Sequence, residues 1–176
     1  MRFDWGIEGA DTIGADVDVL ILVDVLSLPP HDGSRIAAAL NDHPALVVAG
    51  SLRNASAIAR WALDQQGDKG DRFTIAVIAA GEHRADGSTR FALEDLLGAG
   101  AIIEALAEAG IDYYSPEAAA AAGAFTSLRN ATGHLISASA SGRELVEAGF
   151  RAEVELAIDI DSSTAVPLLR EFNFGV

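Results

Sequence analysis

The chain predicts an α/β domain with a largely parallel sheet, and three observations carry that reading. Apolar runs rich in β-branched residues recur at 17–26, 45–50 and 73–80. They are nearly continuous rather than alternating, as strands buried on both faces are. Segments of helical period separate these runs and follow the last of them. The 176 residues are half hydrophobic, with a mean hydropathy of +0.25, enough for one buried core. No internal repeat or linker divides the chain, so residues 1–176 are expected to form a single domain.

Taken in order, the first strand is expected over 17–26, and Pro29-Pro30 prevents its continuation. Asp32-Gly33-Ser34 reads as a turn or N-cap before a short helix over 35–41. After the second strand come a loop at 51–54, a helix over 55–66 and a polar loop at 67–71. The third strand follows at 73–80. The strongest helix signal spans 91–109, where Leu93, Leu96, Leu97, Ile102 and Leu106 recur at helical spacing and Gly110 suits the stop. The alanine-rich stretch 115–138 reads as a helix, with Ser115 as N-cap and Pro116 in the first turn. A short helix at 141–148 is closed by Gly149, and 151–158 is helical or extended. A final strand is expected over 164–169, where Pro167 suits a sheet edge.

Composition excludes several classes. With 26 acidic and 12 basic residues the net charge is −14, which argues against nucleic acid as a partner. The chain has no cysteine, so disulfides, a thiol nucleophile and cysteine-bound metals are ruled out. The segment beginning Met1-Arg2-Phe3-Asp4 lacks a basic head followed by an apolar run, and the longest apolar stretch is broken by Asp18 and Asp24. No signal peptide or membrane partner is expected, and a cytoplasmic location is. The sequence contains no Walker A loop, no nucleophile elbow and no dinucleotide fingerprint.

Polar residues gather where the strands should end: Asp24 and Ser27, then Ser51, Arg53 and Asn54, then Gly81, Glu82 and His83. Adjacent parallel strands would bring these to one sheet edge, where open α/β sheets hold ligands. Carboxylates there can hold Mg²⁺, while an arginine and helix N-termini can hold an anion. That combination is what phosphoryl transfer needs. Plainer roles stand beside it. Ser51 reads as a helix cap, and Glu94 and Asp95 sit where the helix dipole favours acids anyway. Arg53 and Arg90 are of a type that more often faces solvent, and the four histidines show no metal-ligand spacing. Asp24, flanked by Val23, Val25 and Leu26, is expected to be partly buried and to need a partner. Spacing alone selects no substrate.

Several segments, in this order, resemble the 2-phosphosulfolactate phosphatase (ComB) family. They are Val23-Asp24-Val25-Leu26, Asp32-Gly33-Ser34-Arg35, Leu52-Arg53-Asn54-Ala55, and Ala80-Gly81-Glu82 through Glu94-Asp95-Leu96 to Gly100. Ser141-Gly142-Arg143-Glu144-Leu145 and residues 161–167 complete the likeness, which runs from Asp16 onward. The resemblance implies a three-layer α/β/α fold with a mixed, largely parallel sheet. It also implies Mg²⁺-dependent hydrolysis of 2-phospho-3-sulfolactate, or a similar small anionic phosphate ester, to the hydroxy acid and phosphate. That reaction is a step toward coenzyme M.

Carried over residue by residue, the likeness makes Asp24, Glu82 and Asp95 the catalytic candidates and Asp24, Glu82 and Glu94 the metal candidates. Ser34, Arg35, Arg53, Asn54 and Arg90 become the candidates for holding substrate. Ser27 stands where the family carries an arginine, and a family segment of several dozen residues before the Asp32-Gly33 motif is missing. Such shortening would expose apolar surface, so self-association into a homo-oligomer is an expectation. Two functional classes follow: a phosphatase, or a shortened non-catalytic relative that binds an anionic metabolite or a partner protein.

Overall fold

Two strands with no water-facing residue lie at the centre of the molecule. The structure, a computed structural model, describes residues 1–26, 32–84 and 86–169, with the backbone alone for residues 32–34. Every residue of β2 (Val19–Val23) and β4 (Ile75–Ala79) is buried. β1 (Arg2–Trp5) and β3 (Leu46–Gly50) flank them in the order β1-β4-β2-β3, and all three pairings are parallel. Alternate side chains serve opposite layers. Val19, Ile21, Val23, Ile75 and Val77 pack with α3 (Ala55–Lys69), α4 (Leu93–Glu108) and α5 (Pro116–Leu128). Leu20, Leu22, Ala76 and Ile78 pack with α1 (Gly6–Ile13) and α2 (Asp32–Ala39). The result is a three-layer α/β/α domain. Full burial of each of these Val, Leu and Ile side chains stabilises it by about 1.5–3 kcal/mol.

The connections decide which strand ends matter. The chain leaves β1 and β2 toward the α1/α2 layer, and leaves β3 and β4 toward the α3–α5 layer. Beyond β4 it first makes an antiparallel hairpin, β5 (Glu82–His83) with β6 (Thr89–Arg90). Three short helices, α6 (Thr132–Ala138), α7 (Ala140–Glu147) and α8 (Arg151–Ala157), stack outside α4. At the opposite end of the sheet, Asp18 accepts from Lys69 Nζ at 2.6 Å and from the Thr74 amide at 2.8 Å. Those donors hold the Asp18 carboxyl below its ordinary value, outweighing its own desolvation, and pin the start of β2 to the approach of β4.

Several sequence expectations are refined. The strand expected over 17–26 is trimmed to Val19–Val23, and α2 begins at Asp32 rather than after Ser34. The helix expected over 115–138 is interrupted at Arg129–Ala131 by a 3-10 turn that contains Asn130 and is followed by Thr132 and Gly133, all weak helix formers. The strand expected over 164–169 is reduced to one antiparallel bridge, Val48 with Leu168. Pro167 has no amide to donate there, so it only accepts, from the Ala49 N–H at 2.9 Å. β1 and α1 are additions that the reading of strands and helices did not place. Ser27, Pro29 and Pro30 lie outside the described residues. Among the described residues, no helix is long and apolar enough to cross a membrane.

Gly100 lets α4 and α5 approach closely. A Cβ there would lie 2.3 Å from the Ala121 carbonyl oxygen and 2.8 Å from the Phe125 Cβ. Gly100→Ala is expected to destabilise the fold by about 1–3 kcal/mol, despite a helix-propensity gain of up to about 1 kcal/mol. Urea unfolding should show a lower midpoint with an unchanged m-value.

Candidate active site at the C-terminal edge of the sheet

Because β2, β3 and β4 run parallel and adjacent, Asp24, Ser51 and Ala80 emerge at the same edge. The connections of β2 diverge there from those of both neighbours, which is where such sheets open a crevice. Backbone bonds bind the ends together: Asp24 N–H donates to Gly50 O at 3.3 Å, and Ala80 N–H donates to Val23 O at 2.8 Å.

The first turn of α4 reaches under this edge. Asp95 accepts the Val25 amide on Oδ1 at 2.8 Å and the Gly81 amide on Oδ2 at 2.9 Å. One carboxylate therefore ties the segment after β2 to the segment after β4. Gly81 makes this possible with φ of +66°, and a Cβ there would sit 2.5 Å from Thr89 Cγ2. Burial, then the neighbouring Asp24 and Glu94 carboxylates, push the Asp95 carboxyl well above its ordinary value, against the pull of the two amides. Glu94 is 1 % exposed, and its Oε2 is buried without a hydrogen-bond partner among the described residues. Asp24 is half-buried, as expected.

Glu82 and Arg90 face each other across the β5–β6 hairpin and form an ion pair. Ser141 on α7, itself buried, donates to the other Glu82 oxygen. Arg90 also reaches both oxygens of Glu144 on α7 at 3.4 Å. The pair is thus held to α7 by Ser141 and Glu144, and Arg90 serves two carboxylates before any substrate arrives.

The turn after β3 divides its work differently. Ser51 and Asn54 form a reciprocal capping box: Ser51 Oγ accepts the Arg53 amide, and Asn54 Oδ1 accepts the Ser51 amide at 2.9 Å. Asn54 Nδ2 donates to the carbonyls of Ala49 and Ala165 at 3.1 Å. Both its donors and its acceptor are taken, so this substrate candidate is placed as a structural residue. Arg53 is half-buried and donates its Nε–H to Ser162 at 3.1 Å. Among the described residues its Nη groups have no partner.

On the α1/α2 side the edge opens into a small cleft of about 90 Å³. Arg35, Glu82 and His83 line it together with Glu8 and Thr89. It is smaller than the roughly 300–1,000 Å³ of drug-sized pockets and suits a small polar ligand. The Ser34 side chain lies outside the described residues.

The structure therefore brings Asp24, Glu94 and Asp95 into one group, pairs Glu82 with Arg90, and leaves Arg35 and Arg53 on separate rims. Sequence reasoning missed the contributions of Glu8, Ser141, Glu144 and Ser162. Ser141 and Glu144, three residues apart on one helix face, were the only legible hint.

Among the described residues, no three acidic or histidine side chains form a metal cluster. Glu82 is taken up by Ser141 and Arg90, and Asp95 by two amides. Glu94 Oε2 has no hydrogen-bond partner among the described residues, Asp24 lies near enough to Asp95 to raise its carboxyl, and Mg²⁺ is commonly held by one or two carboxylates with substrate phosphate and water. The residues fit on that narrower basis, without Glu82.

A family model described as 2-phosphosulpholactate phosphatase matches residues 18–171. No curated protein matches the chain.

Asp95→Asn is expected to leave one of the two buried amides without an acceptor, at a cost of about 1–3 kcal/mol. A carboxyl raised on folding binds its proton more tightly in the folded chain. Its stabilising contribution is full below the ordinary value of 3.8 and declines as pH rises toward the folded value. Asparagine does not titrate. The deficit of the variant should therefore be larger near pH 5 than near pH 8, as urea unfolding at about those two values would measure.

Proposed function

We propose, because the chain belongs to the 2-phosphosulpholactate phosphatase family, that it hydrolyses a small acidic phosphate monoester. The favoured substrate is 2-phospho-3-sulfolactate or a close analogue, and the products are the hydroxy acid and phosphate. The buried Glu94 oxygen, without a partner among the described residues and next to Asp95, whose carboxyl also feels Asp24, carries the reading. An orphaned buried carboxylate oxygen is costly unless something meets it.

Each residue then has a distinct task. Asp24 and Glu94 would hold Mg²⁺, which when bound neutralises phosphate oxygens and acidifies water. Asp95 keeps Asp24 in place by tying the segments after β2 and β4 together. Arg53, whose Nη groups have no partner among the described residues, and Arg35, in the cleft, are the cations for the two anionic ends of the substrate. Arg90 serves instead to hold Glu82 at the cleft wall.

The engagement of Arg90 by Glu82 and Glu144 favours a second reading, in which the chain binds an anionic metabolite without turnover. Phosphate release from 2-phospho-3-sulfolactate in excess Mg²⁺, against an EDTA control, separates the two. Metal-dependent release is expected. Asp24→Asn should lower it by more than about 100-fold while the thermal melt is kept. No release from a folded parent, with ligand binding by calorimetry, would establish the second reading.

A further inference from the structure

Beyond α8 the chain returns as a strap along the outer edge of β3, and its bonds concentrate on the turn that carries Arg53. Three consecutive strap residues grip that turn. The Asp161 amide donates to Leu52 O at 3.1 Å, and the Asp161 carboxylate accepts the Ser56 amide at 2.7 Å and the Ser56 hydroxyl at 2.8 Å. The Ser163 amide donates to Arg53 O at 2.9 Å. Between them, Ser162 accepts the Arg53 Nε–H at 3.1 Å. Asp161 has a φ of 55°, a left-handed conformation that aspartate tolerates better than most residues and that is held only when surrounding bonds over-determine it.

The hydroxyl of Ser162 is itself oriented. Its proton goes to Asp159 O at 2.8 Å, which leaves a lone pair for the guanidinium. Arginine is long and loses much rotamer freedom on binding an anion. An arginine already fixed at Nε presents its two Nη groups as a preset fork, so less of that freedom is lost when the anion arrives.

We propose that Ser162 is a positioning residue, which holds Arg53 in the orientation that binds the phosphate or sulfonate group of the substrate. The proposal rests on the phosphatase-family reading of Arg53 as an anion holder.

The test is a double-substitution cycle on the full chain, with calorimetry for inorganic phosphate and steady-state kinetics on 2-phospho-3-sulfolactate. Ser162 is exposed, so its truncation probes the hydroxyl rather than the core. Ser162→Ala is expected to raise the phosphate Kd and the KM together by about three- to tenfold, with kcat unchanged. Ser162→Thr, which keeps the hydroxyl, should behave as the parent. In an Arg53→Lys background, which has no Nε–H to hold, Ser162→Ala should have no further effect.

An equal loss in both backgrounds, or no loss in the parent, would overturn the proposal. A parent that binds phosphate but releases none from the ester would overturn the phosphatase reading alone, and the cycle in Kd would still decide the role of Ser162. In a parent that turns over the ester without measurable affinity for phosphate, KM is the readout, and a KM unchanged by Ser162→Ala would overturn the positioning role alone.

Discussion

The candidate site depends on one carboxylate placed where carboxylates are costly. Asp95 is buried at the start of α4 and spans the gap between the segments that leave β2 and β4. Without it, the Val25 and Gly81 amides would face an apolar interior unpaired. With it, two strands whose connections part in opposite directions keep their ends in register, and Asp24 stays close enough to Asp95 to act on its carboxyl. The cost shows in the carboxyl itself, pushed up by burial and by two neighbouring acids. Asp18 performs a comparable task at the other end of β2, but near solvent and with Lys69 as partner, and there the balance reverses.

Around that clamp the polar residues divide into those already committed and those still able to act. Asn54 satisfies the turn after β3 with every polar atom it has. Glu82 and Arg90 satisfy each other, and α7 satisfies both. Partnered in this way, Glu82 lines the wall of the cleft, and both residues offer little to an incoming ion. Among the described residues, Glu94 has one oxygen unmet and Arg53 has its Nη groups unmet, so both keep unused capacity. A site that binds a metal and an anion needs such unspent donors and acceptors.

Local rules made much of the fold legible. The continuous apolar runs marked β2, β3 and β4, and the 3.6-residue spacing marked α4. Ser51, Ser115 and Pro116 signalled helix starts, and the structure confirms Ser51 and Ser115 as caps. What escaped were elements whose stability comes from neighbours. β1 is four residues long and acquires its strand character by pairing with β4. The β5–β6 hairpin is two residues a side and depends on the cross-strand pair of Glu82 with Arg90. The segment 164–169 has the composition of a strand, but Pro167 and the strap bonds to the Ser51–Ser56 turn limit it to a single bridge.

The site followed the same division. By itself the sequence determined that the chain is an α/β domain, that its acids and arginines fall at strand ends, and that Asp24 lies partly buried. These follow from hydrophobic period, turn chemistry and chain order, all of which act over a few residues. The tertiary structure alone decided which of those acids and arginines are spent. Asp95 meets amides 14 and 70 residues away, Asn54 meets a carbonyl 111 residues away, and Arg53 meets a hydroxyl 109 residues away. A hydrogen bond is satisfied by whatever the packed core brings within about 3 Å, and that depends on the whole chain at once.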